Sequence, residues 1–128
     1  MRLLLDTHAL IWWTIDSSRL SRLAHSAIAD PENEIFVSAV SAMEIATKHR
    51  LGKLPEAARL AQSFEAEVEA EDFVGLPMSL RHGQLAGSLS LEHKDPFDRL
   101  LIAQALVETL TLVSNDRRFD AAGVNRLW

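Results

Sequence analysis

The chain alternates brief apolar runs with longer segments whose apolar positions recur every three or four residues. Residues 3–5, 35–37, 73–76 and 111–113 are the brief runs, and 124–128 supplies a fifth. They are too short for helices and suit strands covered on both faces. Between them, residues 9–15 and 20–28 carry helical spacing, and Asp16-Ser17-Ser18 and Asp30-Pro31-Glu32-Asn33 break it. A third helix follows strand two, capped by Ser38 or Ser41, and ends before Gly52 and Pro55. Residues 56–71 read as a more polar helix, 79–89 as another, and 90–94 as a loop. Strands alternating with helices predict an α/β sandwich with a mostly parallel sheet of five strands and right-handed crossovers.

The most informative stretch is Asp95-Pro96-Phe97-Asp98-Arg99, which opens the apolar segment 100–112. Proline suits the first turn of a helix, and Asp95 just before it can cap that turn. Asp98 then lies near the positive end of the helix dipole. The segment behind it has little polar face, so the helix is expected to be buried and Asp98 to sit at the rim of the core.

Three further acids are predicted to share that rim. Asp6 ends strand one, Asp116 follows strand four, and Glu44 lies in the first turns of the helix leaving strand two. All three therefore occupy the carboxyl edge of the sheet. The helix from Pro96 precedes strand four and must run antiparallel to it, which returns Asp98 to the same edge. Open α/β sheets bind ligands in that crevice. Two unit charges ~4 Å apart repel by about 4 kcal/mol at an effective dielectric of about 20, so converging carboxylates call for protons or a cation. A hard, oxygen-seeking ion such as Mg²⁺ or Mn²⁺ answers that need and would support phosphoryl-transfer chemistry. Each acid also has a local structural use. Asp95 can be a helix cap, Asp98 a dipole partner, Glu44 the reciprocal half of a capping box with Ser41, and Asp116 a turn former beside Asn115. Asp6 has few such uses at a buried strand end.

Composition narrows the classes. At 128 residues the chain is read as one domain, 1–128. It has no cysteine, which excludes a disulfide scaffold, a thiolate nucleophile and a cysteine-based zinc site. No apolar run is long enough for a signal peptide or a membrane span, so a soluble cytoplasmic protein is expected. A net charge of −5 argues against a general nucleic-acid coat but leaves room for a local basic patch.

Leu3-Leu4-Leu5-Asp6-Thr7-His8, Ser41-Ala42-Met43-Glu44-Ile45, the segment 93–105 around Asp98, and Leu112-Val113-Ser114-Asn115-Asp116 closely resemble PIN-domain ribonucleases. Among these they are most similar to VapC-type toxins of toxin–antitoxin pairs. The resemblance covers nearly the whole chain and is most specific around Asp98. It implies a PIN-like three-layer sandwich and a Mg²⁺- or Mn²⁺-dependent endoribonuclease acting on transfer or ribosomal RNA. Its acidic quartet falls on Asp6, Glu44, Asp98 and Asp116, with Asp6 and Asp98 the firmest metal ligands and Thr7, Asp95 and Ser114 in support. It further implies products with 5′-phosphate and 3′-hydroxyl ends, no histidine base, a homodimer, and a cognate antitoxin that holds the enzyme inhibited.

The basic and aromatic residues carry paired readings. Arg99, Arg117 and Arg118 could hold substrate phosphates or screen the acids. Lys48, Arg50 and Lys53 read chiefly as a solvated helix end. Of Trp12 and Trp13, one is expected in the core and one at a dimer or antitoxin surface. His8 and His93 flank the predicted crevice without metal-binding spacing. An aspartyl-phosphate phosphatase would want an acid where His8 stands, and a receiver-like domain would want one at Leu76-Pro77-Met78. Nucleotide-binding glycine loops and a nucleophile elbow are absent. The remaining alternative is a non-catalytic module that keeps the fold and uses its acids to bind a partner's arginines.

Overall fold

A computed structural model describes residues 1–128. The strands are β1 (Arg2–Leu5), β2 (Glu34–Ser38), β3 (Val74–Leu76), β4 (Thr111–Val113) and β5 (Arg126–Leu127). The helices are α1 (Thr7–Thr14), α2 (Arg22–Ala29), α3 (Ala39–Arg50), α4 (Ala58–Ala70), α5 (Leu80–Ser88) and α6 (Pro96–Glu108), with 3₁₀ turns at Pro55–Ala57 and Arg117–Ala122. The sheet order is β3-β2-β1-β4-β5, and every pairing is parallel rather than most of them.

The three layers follow from the period-two alternation of buried strands. Leu3 and Leu5 of β1, with Ile35 and Val37 of β2, join one apolar cluster together with Leu10, Ile11, Ala24 and Leu60. Leu4, Phe36 and Leu112 point the other way and pack against Leu101, Ile102 and Ala105 of α6. Helix α6 is buried over five successive residues, Leu101 to Ala105. That run includes Gln104, whose side-chain carbonyl accepts from the Ser38 hydroxyl.

Several local expectations needed revision. Helix α1 begins at Thr7 rather than residue 9, because Asp6 caps it by accepting from the Ala9 N–H at 2.7 Å. Ser38, not Ser41, caps α3 through the Val40 N–H, so Glu44 takes no part in a capping box. The stretch expected to be one helix over 56–71 is a 3₁₀ turn followed by α4, which breaks at Ser63 (φ −140°, ψ 43°). The last strand has shrunk from 124–128 to two residues.

One consequence of this topology positions the site. Helices α1 and α3 and the 3₁₀ turn at Arg117 each follow a strand, and α6 runs back before β4. Four helical N-termini therefore gather at the carboxyl edge, where unpaired N–H groups and the dipole favour anions. The strand order reverses between β1 and β4, so Asp6 and Asp116 flank the switch point.

Candidate active site

A crevice of about 500 Å³ opens at that switch point, and Asp6, Glu44, Asp98 and Asp116 all line it. The four come from four different elements, separated by 38 residues or fewer only for Asp6 with Glu44 and Asp98 with Asp116. Three acids of the crevice are also caps. Asp6 caps α1, Asp95 caps α6 by accepting from the Phe97 and Asp98 N–H groups, and Asp116 caps the Arg117 turn. The local use that Asp6 lacked in the sequence is this cap.

The carboxylates differ sharply in their surroundings. Asp6 is 7% exposed. Burial pushes its carboxyl up to about 6, with the nearby Asp98 charge adding to the rise, against lowering by the Ser114 hydroxyl and the Ala9 N–H. Burial also raises Asp98, opposed chiefly by His93, whose Nε2 lies 2.7 Å from Asp98 Oδ2. Asp116 is held below the usual carboxylate range by Arg118, which grips both of its oxygens. Glu44, 4% exposed, accepts from the Thr7 hydroxyl at 2.6 Å and from the Lys48 ammonium. Burial works against the charge on Lys48, but its bond to Glu44 together with the charges of Glu44, Asp95 and Asp98 outweighs that and raises its pKa.

Ser114 is fully buried behind the crevice; its hydroxyl accepts from the Asp116 N–H and favours the charged form of Asp6. Thr7 bridges Glu44 and Ser41. Lys48 is the residue that sequence reasoning misplaced at a solvated helix end. Its spacing of four from Glu44 was the available signal, since i and i+4 share a helix face. Asn115 also lines the crevice.

The arginines separate. Arg118 screens Asp116. Arg99 does neither task expected of it: its guanidinium points into the loop before α6 and donates to the carbonyls of Ala86, Leu89, Leu91 and His93. It fixes the path of that loop, and with it His93. Arg117 is exposed and lies outside the crevice lining. Both tryptophans are half-buried against the larger core cluster. Trp13 packs beside His25 and Phe73, and Trp12 lines the crevice.

Four carboxylates with no thiolate form a donor set suited to a hard divalent cation, and the raised pKa of Asp6 marks negative charge its surroundings under-compensate. As placed, no three acidic or imidazole groups converge on one point. Glu44, Asp98 and Asp116 instead face Lys48, His93 and Arg118. A cation would enter by exchange with these partners.

Comparisons with known proteins point one way. Residues 3–125 match the PIN domain family. The chain is 32% identical over 115 residues to Ribonuclease VapC22 of Mycobacterium tuberculosis, covering 90% of this chain and 87% of that protein. In fold it is similar to VapBC2 from Rickettsia felis, solved bound to a DNA fragment from its promoter. The TM-score is 0.70 at 16% identity, over 98% of this chain and 97% of that one. A toxin–antitoxin complex from Klebsiella pneumoniae matches with a TM-score of 0.58 at 20% identity, over 89% and 86% of the two chains.

Proposed function

The chain belongs to the PIN domain family, and from that premise we propose that it is a metal-dependent endoribonuclease, the toxin of a VapC-type toxin–antitoxin pair. One observation carries the reading: Asp6, Glu44, Asp98 and Asp116, from four elements, line a single crevice at the sheet's switch point. The substrate is cellular RNA of the transfer or ribosomal kind, cleaved to 5′-phosphate and 3′-hydroxyl ends in the cytoplasm. The protein works as a homodimer, and exposed Met43, Met78 and Leu80 offer apolar surface outside the crevice for such contacts. A cognate antitoxin restrains it, as the likeness to a toxin–antitoxin complex supports.

Asp6 and Asp98, with Glu44 and Asp116, would hold Mg²⁺ or Mn²⁺. Such an ion neutralises charge on the phosphate and lowers the pKa of water, the chemistry in-line hydrolysis requires. The chain's own part is orientation. Thr7 fixes one oxygen of Glu44, the Ala9 N–H fixes one of Asp6, and His93 meets one of Asp98. Lys48 and Arg118, paired with acids in the free protein, would be free to meet phosphate oxygens where a cation held those acids instead. No side chain has to act as a histidine base.

The test uses purified, partner-free protein. RNA cleavage that requires Mg²⁺ or Mn²⁺ and is lost with EDTA and in Asp98→Asn is the expected result. Metal-independent cleavage, or ends carrying cyclic phosphate, would overturn the reading. The internal pairing of three acids with Lys48, His93 and Arg118 is the feature that favours a non-catalytic, partner-binding module, and an inactive wild type in this assay would decide for it.

A further inference from the structure

The crevice has one wall without charge. Only two of its lining residues are apolar, Trp12 and Phe119, and Phe119 is 3% exposed. The indole of Trp12 is therefore the apolar surface the crevice offers. Beside it stands the exposed ring of His8, 5.5 Å away and tilted by 45°. The ring of Trp128 braces it edge-on at 5.8 Å. His8 and Trp12 lie one turn apart on α1, the helix that Asp6 caps. One short rigid element thus carries a carboxylate of the acidic quartet and an aromatic pair on the same rim.

In the free protein the acidic crevice repels the phosphates of an RNA strand and its cations, Lys48 and Arg118, are paired, and a bound cation would offset that repulsion without adding any contact to a base. Binding energy that does not depend on charge has to come from another part of the ligand. The face of an unpaired base supplies it, because every base can stack on an aromatic side chain. We propose that Trp12, flanked by His8 and braced by Trp128, stacks a nucleobase next to the phosphate held among the acids. The inference rests on the nuclease reading and sharpens it. The strand entering this site has a base unstacked from its neighbours, so the cut falls in single-stranded RNA or beside an extruded nucleotide.

Binding is measured with Asp98→Asn protein, which should not cleave, using a short oligouridylate and a ribose–phosphate chain of equal length without bases. With Trp12 present, the oligouridylate should bind about tenfold more tightly than the base-free chain, the difference surviving added salt. Trp12→Leu should abolish the preference, and Trp12→Phe should keep most of it. Thermal denaturation checks that the leucine variant folds. His8→Ala, at an exposed position, gives an independent arm with an expected loss of about threefold. Unchanged discrimination in Trp12→Leu and His8→Ala overturns the stacking site while metal-dependent cleavage by the wild type leaves the nuclease reading standing. If the wild type does not cleave and no oligonucleotide binds, both fall. If Trp12→Leu spares RNA binding but weakens a complex with a co-purified protein, the indole is a protein contact and the proposal is wrong.

Discussion

The two ends of the sheet are both acidic, and they are built differently. At the amino edge, Asp30, Glu32, Glu34, Glu71 and Asp72 line a depression of about 600 Å³, roomier than the crevice at the carboxyl edge. All five are exposed. Asp30 serves a turn by accepting from the Glu32 N–H, and Asp72 occupies a left-handed position (φ 58°) after α4. They follow the C-terminal ends of α2 and α4, where the dipole repels anions and water does the stabilising. At the carboxyl edge Asp6, Asp98 and Asp116 sit on helical N-termini, and Asp6 and Glu44 are buried. Neither the number of acids nor the size of the hollow distinguishes the two edges. Burial at converging helix N-termini does.

The strongest way to break this contrast is to neutralise one acid at each end. Asp98→Asn should cut RNA cleavage by about a hundredfold or more, the scale for losing a preorganised electrostatic group. It should also abolish Mn²⁺ uptake in calorimetry. Glu71→Gln should leave both unchanged. Equal effects at the two ends would erase the distinction.

The next effect is on stability. Asp6 titrates at about 6 in the fold against 3.8 in the unfolded chain. Between those values the folded state keeps a proton that the unfolded chain has released, so stability falls as pH rises from about 4 to about 6 and stays lower above. The full cost of ionising this buried carboxyl is about 3 kcal/mol. Asp6→Asn retains an oxygen for the Ala9 N–H and removes the charge. In chelator, its melting temperature should exceed the wild type's near neutral pH and match it below about pH 4. A variant that is less stable at neutral pH would show that the cap outweighs the burial cost.

A smaller change probes orientation. Thr7→Val removes the hydroxyl that holds Glu44 and should lower cleavage about tenfold, while Thr7→Ser retains most of it. The smallest expected effect is at the amino edge, where Glu32→Gln or Asp72→Asn should shift stability by no more than about 0.5 kcal/mol in thermal denaturation.

Much of this was legible in the chain. The strand at 111–113 has the bounds its pattern predicts, and the next helix back opens at Pro96 under an Asp95 cap as expected. Glu44 and Asp98 stand at the predicted edge because helix direction in a parallel sheet leaves no other place for them. Arg99 shows the limit. An arginine one residue past Asp98 could face the crevice or the core side of α6, and only the end of α5 and the loop after it, which pack there, supplied four carbonyls for it. Lys48 failed for a different reason. Its helical spacing from Glu44 was visible, but not that the helix turns that face into the crevice instead of to water.

By itself, the sequence determined the elements, their parallel arrangement and the edge at which the acids collect. Those depend on local periodicity, caps and the handedness of crossovers, all encoded over short stretches. Only the tertiary structure decided that β1 lies at the centre of the sheet, that Lys48, His93 and Arg118 pair with the acids, and that Trp12 faces the crevice. Which way a side chain points is settled by packing between elements remote in the chain, so it has no signature in any one of them.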